Sequence, residues 1–134
     1  MQEVSAAIII KDNKVLLARR GQGGNLPGYW EFPGGKREKN ETIFECLERE
    51  IMEELGVRCR ALRLFAESVY HYEHGTIKLI GIITELIDED ITLRVHDEYR
   101  WVEIPCLSDY TLPPADVDIV RLLGACGAGM VEMT

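Results

Sequence analysis

Several classes of protein are excluded by what this sequence lacks. No apolar run approaches the roughly 18 residues of a membrane-spanning helix, and the early run at 6–10 is too short, with no basic lead, for a signal peptide. The four cysteines include no C-x-x-C pair, so a zinc site is not expected. We therefore expect a cytoplasmic protein with reduced cysteines and no membrane partner.

Basic charge is also scarce. Lys and Arg number 15 against 23 Asp and Glu, so the net charge is −8, which argues against a broad surface for a nucleic-acid polymer. The length of 134 residues and the hydrophobic content of 46% are typical of one globular domain, predicted over residues 1–134. An acidic protein that acts on a polyanion needs metal ions and a few local cations to offset the repulsion.

The apolar pattern indicates a mixed sheet with two main helices and no regular β-α-β alternation. Residues 6–10 and 15–18 are predicted to form a hairpin, because the Asp-Asn pair between them tolerates the left-handed turn conformation. The other predicted elements are a loop at 21–28, strands at 61–72, 77–87 and 99–103, a short helix or loop at 105–110, and a helix at 115–123 opened by two prolines.

The stretch GKREKNETIFECLEREIMEELGV, residues 35–57, contains the first predicted helix. Thr42 followed by Glu45 is the pattern of a capping box, and Gly56 is a natural stop. One apolar stripe runs along this helix, formed by Ile43, Phe44, Leu47, Ile51 and Leu55. The stripe predicts which face of the helix packs against the sheet.

Three glutamates on this helix predict a divalent metal site. Glu50, Glu53 and Glu54 stand at i, i+3 and i+4, so their carboxylates crowd onto one side and repel one another unless a cation lies among them. Carboxylate oxygens are the hard ligands that Mg²⁺ prefers, and Mn²⁺ can substitute for it. Glu54 also falls within the apolar stripe, about 20° from Leu47, where an unpaired carboxylate is costly to bury. We therefore expect a positive partner beside Glu54.

The spacing within residues 35–57 resembles the Nudix box, G-x5-E-x7-R-E-U-x-E-E-x-G-U with U aliphatic, and every fixed position is matched. Residues 28–36, residues 112–116 and the pair Arg19-Arg20 also resemble the MutT-like branch of that family, so the likeness covers nearly the whole chain. The resemblance implies an α/β/α sandwich around a mixed β-sheet. It also implies hydrolysis of a nucleoside diphosphate linked to another group.

The resemblance assigns roles within the box. The metal ligands that it implies are Glu50, Glu53, Glu54 and the backbone carbonyl of Gly34. Glu50 is the expected general base, acting directly or through metal-bound water. Arg49 is expected to pair with Glu41, which holds the helix against the preceding loop and fixes the carboxylates.

A set of substrate contacts is implied as well. Lys36 or Arg37 is expected to meet a phosphate. Arg20, with Arg19 as the weaker candidate, is expected to contact phosphates or base. Phe32 is expected to line the base pocket.

Two acidic positions are left open by the resemblance. An additional acid is expected from the loop before the strand of Trp101, with Glu98 preferred over Asp97, although relatives often carry it nearer Val95. Asp116 stands where MutT itself is expected to carry Asn, and an ionised carboxylate accepts from a base amino group but donates only when protonated. The preferred base is therefore open between an oxidised purine and a pyrimidine such as cytosine.

The remaining histidines and tyrosines are interpreted as structural. His71, His74 and His96 have no ligand spacing with one another and are predicted to be surface or structural residues. Tyr70 and Tyr72 alternate on a strand and are predicted to pack, with substrate contact as the alternative.

The leading functional prediction is a Mg²⁺-dependent nucleoside triphosphate pyrophosphohydrolase that releases a monophosphate and pyrophosphate. Hydrolysis of ADP-ribose or a dinucleoside polyphosphate is a weaker alternative. Members of the family that act on ADP-ribose usually carry a proline shortly after the box, and here no proline occurs between Pro33 and Pro105. A domain that senses a nucleotide without cleaving it is a further alternative, although all box glutamates are present. The partner is expected to be a nucleotide, and the protein a monomer or homodimer.

Overall fold

The computed structural model describes residues 1–126. Within that range the chain forms six β-strands, two α-helices and one short 3₁₀ helix. In chain order they are β1 (Gln2–Lys11), β2 (Lys14–Arg20), β3 (Trp30–Glu31), α1 (Ile43–Leu55), β4 (Cys59–Tyr72), β5 (Gly75–Leu86), β6 (His96–Glu103), the 3₁₀ helix (Ile104–Asp109) and α2 (Pro114–Cys126).

The strands form a mixed sheet with one helix against each face. β1 pairs in parallel with β5, whereas the other pairs of strands run antiparallel. Along β1, Ala6 and Ile8 pack into the core beneath α2, and Ala7 and Ile9 pack into the core beneath α1. This alternation follows from the two-residue period of a strand. The predicted α/β/α sandwich around a mixed sheet is confirmed.

Helix α1 begins and ends where its sequence predicts. The Thr42 hydroxyl accepts from the Glu45 amide at 3.0 Å, and the Glu45 carboxylate accepts from the Thr42 amide at 2.8 Å. Gly56 ends the helix with a left-handed φ of 66°. Leu47, Ile51 and Leu55 are fully buried. The apolar stripe therefore faces the sheet and holds the opposite edge of the helix beside the loop 33–37.

The loop 33–37 lies in a gap between β1 and β2. The two strands pair only next to their turn, at Ile10–Val15 and Lys11–Lys14. Farther along β1, the Ser5 amide donates to the Gly35 carbonyl at 2.8 Å and the Ala7 amide donates to the Pro33 carbonyl at 2.7 Å. Residues 33–37 thus replace β2 as the neighbour of β1, and the sheet itself fixes the backbone of this loop.

Most strands are longer than predicted. β6 begins at His96 instead of Tyr99, because it pairs with the whole of β2 through a bulge at Arg19 and Arg20. The polar run before Tyr99 carries no apolar alternation that would mark it as strand. The segment left open as helix or loop at 105–110 is largely the 3₁₀ helix. The predicted domain also includes residues 127–134, which lie outside the described residues.

None of the helices between residues 1 and 126 is both long and apolar enough to cross a bilayer.

Candidate active site

Two adjacent glycines allow helix α1 and strand β1 to approach the same loop. Gly34 has a φ of 151°, and a Cβ there would lie 2.1 Å from the Ser5 carbonyl oxygen. A Cβ on Gly35 would lie 2.1 Å from Oε2 of Glu50. The buried Ser5 hydroxyl also accepts from the Gly35 amide at 3.2 Å. Larger side chains at positions 34 and 35 would push the loop away from the helix.

Arg49 organises the carboxylates of α1. Its Nε and Nη2 donate to the two oxygens of Glu41, at 2.9 and 2.8 Å, which is the predicted pair. Its Nη1 donates to Glu50 at 2.7 Å and to Glu53 at 3.2 Å. The hydrogen bond from Arg49 lowers the pKa of Glu41 to about 2. One guanidinium therefore ties the loop, through Glu41, to two of the three predicted ligands.

Glu54 is desolvated, as its position within the apolar stripe predicts. Burial raises its pKa to about 8, and the positive field of His96 and a hydrogen bond from the Gly34 amide, at 3.2 Å, only partly oppose this shift. Burial likewise raises the pKa of Glu50, against the opposing effect of Arg49. Two carboxylates of the trio are thus held where ionisation is costly without a further positive charge.

The donor chemistry of this cluster fits a hard divalent cation. Three carboxylates lie close together on α1, and the loop of Gly34 and Gly35 lies beside them, so oxygen ligands are available from the helix and from the loop. Within residues 1–126, however, no three acidic, histidine or cysteine side chains converge on one point. Arg49 draws Glu50 and Glu53 together, while Glu54 turns to Gly34. Rotation of these side chains is needed before all three reach a single ion.

A cavity of about 640 Å³ extends from this cluster towards helix α2, and its volume suits a small-molecule ligand. On the side of the cluster it is lined by Ser5, Gly34, Gly35, Lys36 and Glu54. On the side of α2 it is lined by Arg20, Asn25, Leu26, Glu31, Phe32, Tyr72, His74, Pro113 and Asp116. The structure thus brings together Gly34, Lys36, Glu54, Arg20, Phe32 and Asp116 from the predicted set.

Asp116 lies in the first turn of α2 and is buried. Its Oδ2 accepts from the Phe32 amide at 3.2 Å. Burial and then the charge of Glu31 raise the pKa of Asp116 to about 7, against this hydrogen bond. Near neutral pH this carboxyl group therefore exists in both forms, one that only accepts hydrogen bonds and one that also donates.

Tyr72 reaches the same part of the cavity from β4. Its pKa is raised, first by burial and then by the charge of Asp116. Its ring also stacks at a tilt on Tyr70, with centroids 4.7 Å apart. Tyr72 therefore contacts Tyr70 on its own strand and also lines the cavity, and its contact with substrate, the alternative, stays a prediction.

His96 is more deeply buried than a surface histidine and lies beside the cavity, where it contacts the lining residue Glu31. Its side chain is only 1% exposed, and its Nε2 lies 2.8 Å from Oε2 of Glu31. Burial opposes the charged imidazolium, but the bond to Glu31 and the charge of Glu54 outweigh it and raise the pKa of His96. The sequence carries no local signal for this contact, because Glu31 lies 65 residues away.

Arg49, Glu50 and Glu53 do not line the cavity, and four further candidates from the predicted set lie outside its lining as well. Arg19 donates to Asp97 at 2.7 Å, lies 3.4 Å from Glu98, and covers the Trp30 ring. Glu98 also accepts from Arg100 at 2.6 Å. Neighbouring residues of a strand point to opposite faces, so Arg19 and Arg20 meet different partners, and the register shift between them places Arg20 opposite His96 instead of Asp97. The role of Glu98 or Asp97 as an additional acid stays a prediction.

Arg37 is the fourth of these candidates. It donates to Glu3 at 2.6 Å and to the Glu41 carbonyl at 3.2 Å. Of the two cations predicted to meet a phosphate, Lys36 is therefore the one that lines the cavity.

The fold and the glutamate cluster agree with a comparison against known families. A family model described as the NUDIX domain matches residues 1–123. The chain belongs to the NUDIX domain family and is a Nudix hydrolase, as the resemblance of its box predicts. Enzymes of this family act on nucleotide substrates and use divalent metal ions.

Two relatives and one solved structure show which branch of the family this chain resembles. The chain is 34% identical over 131 residues to the CTP pyrophosphohydrolase of Escherichia coli (strain K12), a match that covers 96% of this chain and 95% of the relative. It is 30% identical over 114 residues to the 8-oxo-dGTP diphosphatase of Buchnera aphidicola subsp. Schizaphis graminum, covering 85% and 86%. The solution structure of the E. coli ORF135 protein superposes with a TM-score of 0.83 at 32% identity, covering 94% of this chain and 90% of that one. The MutT-like assignment is confirmed.

Proposed function

We propose that this protein hydrolyses a nucleoside triphosphate to the monophosphate and pyrophosphate, with Mg²⁺ as its metal. The observation that carries the proposal is the cavity itself, because it joins Gly34, Lys36 and Glu54 to Phe32 and Asp116. A triphosphate extending from a base at α2 would place its phosphates beside the glutamates. The names of the relatives, a CTP pyrophosphohydrolase and 8-oxo-dGTP diphosphatases, support the same reaction.

The glutamate cluster supports separate roles for its residues in the hydrolytic step: metal binding, proton transfer and positioning. Glu50, Glu53, Glu54 and the Gly34 carbonyl would hold Mg²⁺, with Mn²⁺ as a substitute, and the ion would neutralise charge that builds on the phosphate oxygens. Glu50 takes a proton from the attacking water, whose oxygen bonds to the α- or the β-phosphorus while the bridging P–O bond between these two phosphorus atoms breaks. The leaving group is pyrophosphate in the first case and the monophosphate in the second. Arg49 keeps Glu50 in position through its bidentate hold on Glu41.

The part of the cavity at α2 supports base recognition. Asp116 offers an acceptor when ionised and a donor when protonated, and its pKa of about 7 makes both available. Phe32 and Arg20 both line the same space, although Phe32 is also part of the hydrophobic core. Lys36 lines the cavity on the side of the glutamates, where a phosphate would lie. We propose Glu98 as an auxiliary acid only for a state in which it leaves Arg19 and Arg100.

A substrate panel with Mg²⁺, with products separated by chromatography, tests the proposal. It contains 8-oxo-dGTP, dGTP, CTP, dCTP, 5-methyl-dCTP, ADP-ribose and diadenosine tetraphosphate. We expect one triphosphate to be preferred, with pyrophosphate released in equal amount to the monophosphate. Release of single phosphate from triphosphates would contradict the proposed reaction. Preferred cleavage of ADP-ribose or diadenosine tetraphosphate would select the alternative enzyme class.

A non-catalytic sensor is distinguished in the same experiment. Binding of a nucleotide without turnover in Mg²⁺ or Mn²⁺ would favour that reading. A cytoplasmic location, a monomeric or homodimeric state and the lack of a nucleic-acid or membrane partner remain proposals from composition and charge.

A further inference from the structure

A buried imidazole with one hydrogen bond stands beside the cavity. The Nδ1 atom of His96 is buried and has no hydrogen-bond partner among the residues described, whereas Nε2 lies 2.8 Å from Oε2 of Glu31. Burying a polar side chain with half of its hydrogen-bonding capacity unused is unfavourable. The single bond to Glu31 is therefore the polar interaction that accounts for a histidine at this position.

Glu31 divides its two oxygens between His96 and Arg20. Oε2 meets His96, and Oε1 accepts from Nε of Arg20 at 2.7 Å. Arg20 in turn donates through Nη1 to the Asn25 carbonyl at 3.0 Å. The chain of contacts runs from the first residue of β6 through β3 to the glycine-rich loop, and Arg20, Asn25 and Glu31 all line the cavity.

We propose that His96 is a positioning residue for nucleotide binding: it occupies one oxygen of Glu31, so that Arg20 is held by a single bond to Glu31 and by Asn25. This inference rests on the proposed function. Without His96, both oxygens of Glu31 are free for Arg20. A guanidinium prefers a bidentate pairing with a carboxylate. Arg20 would then turn fully onto Glu31, release Asn25 and withdraw from the cavity.

The hydrogen bond of His96 goes to Glu31, whereas the imidazole acts on Glu54 through charge. With Mg²⁺ saturating, loss of this hydrogen bond should therefore fall on substrate binding. We expect His96→Leu to raise KM for the preferred triphosphate about tenfold while kcat changes by less than threefold. His96→Gln places an amide donor where Nε2 stands and should restore KM to within threefold of the wild type. His96→Asn is the matched control, because its shorter amide does not reach Glu31 and should behave like the leucine variant. It also serves if the leucine variant does not fold.

A second background tests whether His96 acts through Arg20. In an Arg20→Ala protein, adding His96→Leu should change KM by less than twofold, because the side chain that it positions is gone. A tenfold rise of KM in both backgrounds would overturn the proposal. Equal losses in the Gln, Asn and Leu variants would do the same and would leave His96 as a packing residue. Unchanged KM in the leucine variant would likewise overturn it.

A structural readout separates this inference from the proposed function. In the free protein, NMR order parameters of the Gly21, Gly23 and Gly24 amides should fall in His96→Leu and recover in His96→Gln, since the bond to Asn25 closes this loop. Failure of the wild type to cleave any nucleotide would remove the proposed function but leave this readout in place. Unchanged order parameters with normal wild-type turnover would overturn the positioning role alone.

Discussion

Glu54 and Asp116 are both buried carboxyl groups on the cavity, yet their surroundings differ. Each carboxylate accepts a hydrogen bond of 3.2 Å from a backbone amide of the same short segment. Glu54 accepts from Gly34, and Asp116 accepts from Phe32. Burial raises the pKa of both, to about 8 and about 7. Glu54 has Glu50 and Glu53 within the preceding turn of its own helix, whereas Asp116 has aromatic neighbours and the N-terminus of α2. The first setting calls for a cation, and the second for a neutral base with hydrogen-bonding edges.

The largest effect is expected when a carboxylate is removed from the glutamate cluster of α1. Glu53→Gln keeps the size and half-exposed position of the side chain but removes its charge. We expect kcat to fall about a thousandfold, because several kcal/mol of charge stabilisation are lost. Steady-state kinetics with Mg²⁺ measures this, and circular dichroism checks that the fold is intact. Near-normal turnover by the pure variant would show that the metal assignment is wrong.

The free energy of unfolding, measured first without metal and then with Mg²⁺, should distinguish Glu54 from Asp116. Because the folded pKa of Glu54 is raised from 4.5 to about 8, its contribution is fully present below about pH 4.5 and is lost as the pH rises through 8. In EDTA at pH 9 we expect Glu54→Gln to be more stable than the wild type by about 2 to 4 kcal/mol, and nearly equal at pH 5. Urea unfolding measures both differences.

Asp116→Asn should also be more stable than the wild type at high pH, but its advantage should develop over a lower pH range, since the pKa of Asp116 rises from 3.8 to about 7. Adding Mg²⁺ at pH 9 should erase the advantage of Glu54→Gln, because the cation stabilises only a protein that keeps this carboxylate. The advantage of Asp116→Asn should persist. If Mg²⁺ erased both, the two sides of the cavity would not differ in the way described.

Base preference should depend on pH through Asp116 alone. Ionised Asp116 accepts from the amino group of cytosine, whereas the protonated form donates to the corresponding carbonyl of uracil. Between pH 6 and 8 we expect the ratio of kcat/KM for CTP to that for UTP to rise about tenfold, centred near the pKa of about 7. Asp116→Asn should flatten this profile. A profile that persists in the variant would assign the titration to another group.

The smallest effect should distinguish two neighbouring cations on the glycine loop. Lys36 lines the cavity, while Arg37 is held by Glu3 at 2.6 Å. We expect Lys36→Ala to raise KM about fivefold, which corresponds to about 1 kcal/mol of binding, and Arg37→Ala to change it by less than twofold. Equal effects of the two substitutions on KM would contradict the assignment of the phosphate contact to Lys36.

Features encoded within a few turns of chain could be predicted from the sequence. Helix α1, its cap at Thr42, the pairing of Arg49 with Glu41 and the burial of Glu54 all follow from spacing or from the resemblance of the box. Contacts of this kind depend on helical geometry, which a sequence specifies locally.

Contacts between distant strands could not be predicted in the same way. His96 meets Glu31 across 65 positions, and Phe32 meets Asp116 across 84. A register shift between β2 and β6 places His96, and not Asp97, opposite Arg20, and no residue type marks that shift. Register and bulges are set by the assembled sheet, so side chains placed by them are recognised only once the sheet is formed.

The segment Phe32–Gly34 supplies one amide to each side of the cavity, and this has an evolutionary consequence. On the roles proposed above, hydrolysis would be encoded by one continuous stretch of the gene, whereas recognition would draw on cavity residues such as Arg20, Tyr72 and Asp116 from three separate elements. A lineage can therefore exchange a recognition residue by a single substitution while inheriting the hydrolytic helix unchanged. Selection on nucleotide choice and selection on turnover then act on different codons. Relatives named for CTP and for 8-oxo-dGTP, sharing about a third of this sequence, fit such a history.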